Sequence, residues 1–188
     1  IKEIADNCFV PLTVGGGINS LESAKNLIEN GCDKISINSS IFTNPKLINK
    51  IASSYGNQAV VASIDVKRID NNYICFSHSG TVNTSLSPVE VSKKVEDLGA
   101  GEILLTSIDN DGTLQGYDYK LLEEISTNTN IPIIASGGAG DPKHMVKAIK
   151  ECGVSAVAAA SIFQFTEITP NDIRDYLNKN NIAIRKIA

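Results

Sequence analysis

Apolar and polar positions along this chain follow two interleaved periods. Short runs rich in Val, Ile, Leu and Ala occur at 12–14, 34–38, 59–65, 102–106, 132–136 and 156–159. Several show no polar alternation, as strands covered on both faces do, and each predicts a short buried strand. Between them the apolar residues fall at helical spacing. Leu21, Ala24, Leu27 and Ile28 follow Ser20, and Leu47, Ile48 and Ile51 follow Asn44-Pro45. Val91, Val95 and Leu98 follow Ser87-Pro88, and Met145, Ala148 and Ile149 follow Asp141-Pro142. The polar residue before each stripe is a helix N-cap type, and proline suits the first turn. Gly31, Gly99 and Gly153 stand where three of these helices should stop. Strand and helix in regular alternation predict an α/β protein with a parallel sheet. One longer excursion interrupts the pattern. Residues 73–77 alternate after an Asn71-Asn72 turn and predict a short strand, and the polar stretch 79–85 predicts a mobile loop over the strand ends.

Two of the strand ends repeat one motif. Val14-Gly15-Gly16-Gly17-Ile18 is followed by Ile37-Asn38-Ser39-Ser40, and Ser136-Gly137-Gly138-Ala139-Gly140 is followed by Ala159-Ala160-Ser161-Ile162. Glycines let backbone N–H groups approach an anion, and a helix beginning just beyond adds its positive end, so each copy predicts a phosphate site. Two copies imply two phosphates on one ligand. The repeat also counts units: the counterpart of the half containing Asp65 falls before Ile1, and six strand–helix units plus two more make the eight that close a parallel barrel. Residues 1–188 are therefore expected to form a single domain, a (β/α)8 TIM barrel with about six of its eight βα units in this chain.

Composition narrows the function classes. A 42% hydrophobic, 20% charged chain is ordinary for a globular domain, and a net charge of −4 without a Lys/Arg run argues against a nucleic-acid surface. No apolar run approaches the roughly 20 residues of a membrane span, and Ile1-Lys2-Glu3-Ile4-Ala5 does not read as a signal peptide, so a cytoplasmic location is expected. Cys8, Cys32, Cys75 and Cys152 lie far apart and read as packing residues, with no metal or cofactor expected. His144 reads as a solvated helix side chain, and His78 lies in a polar loop where it can touch substrate.

Asp65 ends the third strand, at the mouth where barrel substrates bind, and partial burial would tune it for general acid/base work. A salt bridge to Lys67 or Arg68 is the alternative. Asp109 and Asp111 follow the fourth strand in Ser107-Ile108-Asp109-Asn110-Asp111-Gly112-Thr113. This stretch lacks the later bidentate Glu of a calcium loop and reads as a substrate-contacting loop, or as plain turn capping.

Val14-Gly-Gly-Gly-Ile18, Asp33-Lys-Ile-Ser-Ile-Asn38, Ile64-Asp-Val-Lys-Arg68, Gly99 to Asp109, Asp111-Gly-Thr113 and Ile134 to Gly140 together resemble the cyclase subunit of imidazole glycerol phosphate synthase. The similarity covers the whole chain. It implies a histidine-biosynthesis lyase on a barrel of the ribulose-phosphate-binding type. Ammonia from a partner glutaminase, held in a heterodimer, would react there with a ribulosyl aminoimidazole nucleotide carrying two phosphates. The products would be imidazole glycerol phosphate and aminoimidazole carboxamide ribotide. On this resemblance Asp65 is one of two catalytic aspartates. Gly17, Asn38 and Ser39 hold one phosphate, and Gly138, Ala160 and Ser161 hold the other. Thr106, Asp111, Gly112 and Ser136 line the substrate cleft. Lys34 and Glu102 belong to a charged ammonia gate at the barrel bottom, with Asp33 at the glutaminase interface.

The resemblance also marks departures. The chain begins within what looks like the second helix, so the other catalytic aspartate and two gate residues are not among its residues, and these 188 residues alone are expected to be inactive. Ser39 stands where Thr is frequent, and Ser85 where Gly is frequent in the mobile loop. Three other readings keep the fold. Ser77-His78-Ser79-Gly80-Thr81 and 153–159 look somewhat like a cyclase-like paralogue that serves an amidotransferase in surface-polysaccharide sugar synthesis. The isomerase acting on the preceding bisphosphate shares the phosphate repeats, but Leu104 to Asp109 resembles the cyclase better. A non-catalytic bisphosphate-binding or ammonia-conduit subunit is the third.

Overall fold

The computed structural model describes residues 1–184. After a short helix α1 (Lys2–Ala5), strand and helix alternate: β1 (Thr13–Gly15), α2 (Leu21–Glu29), β2 (Lys34–Ile37), a short α3 (Ser39–Thr43) and α4 (Lys46–Tyr55). There follow β3 (Val60–Ile69), β4 (Asn72–Ser77), β5 (Val82–Asn83), α5 (Pro88–Asp97), β6 (Glu102–Ser107) and α6 (Tyr119–Ser126). The remaining elements are β7 (Ile133–Ser136), α7 (Pro142–Glu151), β8 (Ala156–Val157), a short α8 (Ser161–Phe165) and α9 (Pro170–Lys179). The main sheet runs β1-β2-β3-β6-β7-β8, and every pair along it is parallel. This is the strand–helix alternation of a (β/α)8-barrel-type fold.

The predicted strands and the four predicted helices are present, α4 without a side-chain cap. Ser20, Ser87 and Asp141 each accept from a first-turn N–H, and Gly31, Gly99 and Gly153 follow the helix ends at positive φ. Burial alternates along the strands, for instance at every second residue of β6 and β7. Ile35, Ile37, Ile64, Ile103, Leu105 and Ala135 face the helices and are essentially fully buried, each Ile or Leu contributing about 1.5–3 kcal/mol. The other face carries Lys34, Ser36, Ser63, Asp65, Glu102, Leu104, Thr106, Ile134 and Ser136, all half-buried. It is the inner face of the curl, and it is polar enough to hold a site.

Three expectations need correction. Asp65 does not end its strand: β3 continues to Ile69, because its far half pairs antiparallel with β4 where its near half pairs with β2. The polar stretch 79–85 is not a free loop, since Val82–Asn83 pairs back onto β4 and the Thr84 hydroxyl donates to the Cys75 carbonyl at 2.7 Å. Four helices were not anticipated. The five-residue α3 and α8 are too short for a periodic stripe, while α6 and α9 carry ordinary start signals in Asp118 and in Thr169-Pro170 with Asp172.

Candidate functional site

Each glycine cluster opens a cleft at the C-terminal ends of the strands. The larger, of about 530 Å³, is lined by Gly15 to Asn19, Ser36, Asn38 to Ser40, Ser63, Asp65, His78 and Ser79, among others. The smaller, of about 130 Å³, is lined by Asp111, Ser136 to Ala139 and Ala158 to Ser161. The two are built alike. Gly16 and Gly17 have φ of +107° and +68°, and their repeat partners Gly137 and Gly138 have +89° and +103°. Asn38 and Ala160 each precede a five-residue helix in similar backbone geometry, and neither caps it with a side chain. Backbone N–H groups in these first turns are thus left for another acceptor.

The copies differ in their surroundings. A Cβ on Gly16 or Gly17 would meet nothing within 4 Å, whereas one on Gly137 would lie 2.6 Å from the Ser107 carbonyl oxygen. Gly116 N–H donates to the Gly138 carbonyl at 2.7 Å, and Asn110 Nδ2 donates to the Gly116 carbonyl at 2.8 Å. The second glycine loop is therefore stitched to the loop after β6, and the first stands open. His144 belongs to this stitching: its Nδ1 accepts from Gly140 N–H at 3.3 Å, and burial pushes its pKa down. It is a half-buried loop anchor, not the solvated helix side chain expected from sequence.

Asp65 lies on the inner face beside the larger cleft. Asn38 Nδ2 donates to its Oδ2 at 3.2 Å and to the Ser63 carbonyl at 3.1 Å. Its pKa is raised, first by burial and also by the negative charge of Asp111, with the Ser63 side chain opposing. Among the described residues neither Lys67 nor Arg68 forms an ion pair with it, so the salt-bridge alternative does not hold. A carboxylate that burial holds toward its protonated form, with no cation against it, is suited to move a proton. Parallel register carries the inner face onward from Asp65 to Thr106 and then to Ser136, so this row of side chains runs from one cleft to the other.

The other predicted residues fall in three places. Gly17, Asn38 and Ser39 line the larger cleft; Asp111, Ser136, Gly138, Ala160 and Ser161 line the smaller. Gly112 sits in the turn after β6 at φ +76°, with open space beside it. Asp109, read as substrate-contacting, instead accepts from the Arg68 backbone N–H at 2.8 Å and fastens the end of β3. At the opposite end of the strands, Lys34 Nζ reaches across β3 to Glu102 Oε1 at 2.5 Å, each side chain about a quarter exposed. Local pattern alone made these solvent-facing charges; the curl of the sheet pairs them. Asp33 is exposed and accepts from Leu12 N–H at 2.7 Å.

Sequence reasoning said of His78 only that it can touch substrate from a polar loop, and did not place it, Ser63 or Ser79 at the larger cleft. The signal was the β3–β4 hairpin. Ile69 pairs with Asn72 and Asp65 with Phe76, so continuing the register sets residue 78 beside residue 63.

Comparison with known proteins agrees with this architecture. Residues 1–169 match the family described as "Histidine biosynthesis protein". The imidazole glycerol phosphate synthase subunit HisF of Prosthecochloris aestuarii is 46% identical over 185 residues, 98% of this chain and 74% of the relative. The HisF subunit of Hydrogenobaculum sp. is 49% identical over 98% of this chain and 73% of its own length. That of Chlorobaculum tepidum is 45% identical over the same 98%, and 74% of its own length. The chain thus spans about three quarters of these relatives. With the family match running through both clefts and the strand that carries Asp65, the chain belongs to the histidine biosynthesis protein family.

Proposed function

We propose that this chain carries out the cyclase reaction of imidazole glycerol phosphate synthase as a cytoplasmic lyase subunit. Ammonia from a partner glutaminase reacts with a ribulosyl aminoimidazole bisphosphate nucleotide to give imidazole glycerol phosphate and aminoimidazole carboxamide ribotide. The observation that carries this reading is one carboxylate, of raised pKa, on the row of inner-face side chains between two matching glycine clefts. Gly17, Asn38 and Ser39 hold one phosphate; Gly138, Ala160 and Ser161 hold the other. Thr106, Asp111, Gly112 and Ser136 line the substrate between them. Asp65 exchanges a proton with the reacting centre, burial favouring its protonated form. The Lys34–Glu102 pair guards the ammonia entry at the far end of the strands, and Asp33 faces the glutaminase.

This reading requires a second acid/base carboxylate to work beside Asp65. The test is ammonia-dependent turnover by the natural gene product, whatever its length. Asp65→Asn should lower kcat by at least about 10²-fold with little change in KM. Unchanged turnover in that variant would remove Asp65 from the chemistry, and failure of the wild type to consume the bisphosphate would remove the cyclase assignment.

A further inference from the structure

The larger cleft has an electrostatic problem if it is to hold a phosphate. Its walls include the carboxylate of Asp65, and none of its lining residues is Lys or Arg. Among the described residues that line it, His78 alone has a basic side chain. That histidine is also held in place. Its backbone N–H donates to Ser39 Oγ at 3.1 Å, and its Nδ1 lies 2.9 Å from the hydroxyl of Ser77, a residue only 2% exposed. Nε2 has no partner among the described residues. His78 and Ser79 sit at φ of +52° and +57°, a conformation disfavoured for residues with a Cβ, so the tip of the hairpin holds the ring against the cleft at some backbone cost. The smaller cleft has no histidine, lysine or arginine in its lining.

We propose that His78 is the side-chain clamp of the larger cleft, a ligand for a phosphate seated at Gly17 and Ser39 that has no counterpart in the twin cleft. The proposal rests on the reading of both clefts as phosphate sites. An imidazole N–H donates to a phosphate oxygen, so removing the ring weakens the larger cleft while the backbone-built smaller cleft is unaffected. Asp65, on β3, is the other titratable side chain facing this cleft; Asp111 acts on it from the smaller one, and the loop after β1 and helix α3 contribute none.

The experiment is a titration with sulfate, whose own charge is fixed, followed by the amide resonances of Gly17 and Ser39 for one cleft and Gly138 and Ser161 for the other. The wild type should bind sulfate at both pairs. His78→Gln should bind about fivefold weaker at the first pair and unchanged at the second, and His78→Arg should bind at the first pair at least as tightly as the wild type. The responses of Gly138 and Ser161 report that each variant is folded. If His78→Gln binds sulfate at the first pair as tightly as the wild type, the clamp assignment is overturned while both phosphate sites stand. If sulfate perturbs neither pair in the wild type, the two-phosphate reading falls and the clamp with it.

Discussion

The two glycine clusters have the same backbone signs but different neighbours, and this predicts unequal costs for the same substitution. In Gly17→Ala the new methyl meets open space, and only the left-handed φ of +68° opposes it, at about 1 kcal/mol. Gly138→Ala places the methyl against the Gly116 carbonyl and 3.1 Å from Asn110 Cβ, at a φ of +103°. Backbone strain of about 1–2 kcal/mol, overpacking of about 1–3 and disruption of the 2.7 Å Gly116–Gly138 hydrogen bond at about 1 together give about 3–6 kcal/mol. The chain has no Trp, so urea unfolding is best followed by far-UV circular dichroism. At a typical slope for a small domain, Gly138→Ala should lower the midpoint by about 2 M and Gly17→Ala by about 0.5 M. Equal midpoints with unchanged slopes would refute the claim that the second loop is stitched and the first is open. Sulfate binding supplies the converse: Gly17→Ala, though nearly as stable as wild type, should weaken the larger cleft by crowding the anion.

Three further outcomes follow from single groups. Asp65 has a raised folded pKa, so its contribution to stability is most favourable below the ordinary carboxylate range and is lost as pH rises through the folded value. Asp65→Asn should therefore raise the urea midpoint at pH 8 by more than at pH 3; an equal shift at both would show that ionisation is not the cause. Ser85 sits at φ +60°, where the resemblance noted Gly as frequent, so Ser85→Gly should stabilise by about 1 kcal/mol, less if loss of its hindered chain loosens the turn; destabilisation in urea would sink the strain argument. Tyr73 donates to Asp118 at 2.8 Å, and burial, this bond and the Asp118 charge push its hydroxyl pKa up. That contribution is intact below pH 10 and lost above it, so Tyr73→Phe should cost about 1 kcal/mol at pH 7 and narrow its deficit in alkali.

What the sequence made legible were features whose physics is local. Ser20, Ser87-Pro88 and Asp141-Pro142 announce helices by satisfying first-turn N–H groups, and the glycine pairs announce positive φ. What stayed hidden depends on register and curvature. The Lys34–Glu102 pair forms only because the sheet brings strands on either side of β3 toward one another, and nothing adjacent to either residue encodes that. Asp109 resembled a site residue because it stands in the same short acidic run as Asp111. Their separation into a backbone fastener and a cleft-lining carboxylate follows from where β3 ends, and the strand runs four residues past the end of its apolar run.

That extra length of β3 connects the two clefts. Beyond Asp65 it forms a hairpin with β4 whose tip brings His78 to Ser39 at the larger cleft. The same hairpin is fastened twice to the loop between β6 and α6. Asp109 accepts from the Arg68 backbone, and Asp118, while capping α6 through Leu121 N–H, accepts from the Tyr73 hydroxyl. The loop so fastened carries Asp111 into the smaller cleft and hydrogen-bonds Gly138 through Gly116. A continuous set of hydrogen bonds therefore runs from one cleft to the other around the outside of Asp65. The hairpin tip cannot swing away from Ser39 as a rigid body without straining the Asp109 and Asp118 fastenings. Tyr73→Phe tests this directly. It removes one fastening about a hairpin's length from either cleft, so it should broaden the Ser39 and Gly17 amide resonances while leaving Gly138 sharp, which the Gly116 and Asn110 bonds still hold. If the Ser39 and Gly17 signals stay as narrow as in the wild type, the hairpin tip is positioned by Ser39 and Ser77 alone and the outer linkage carries no mechanical role.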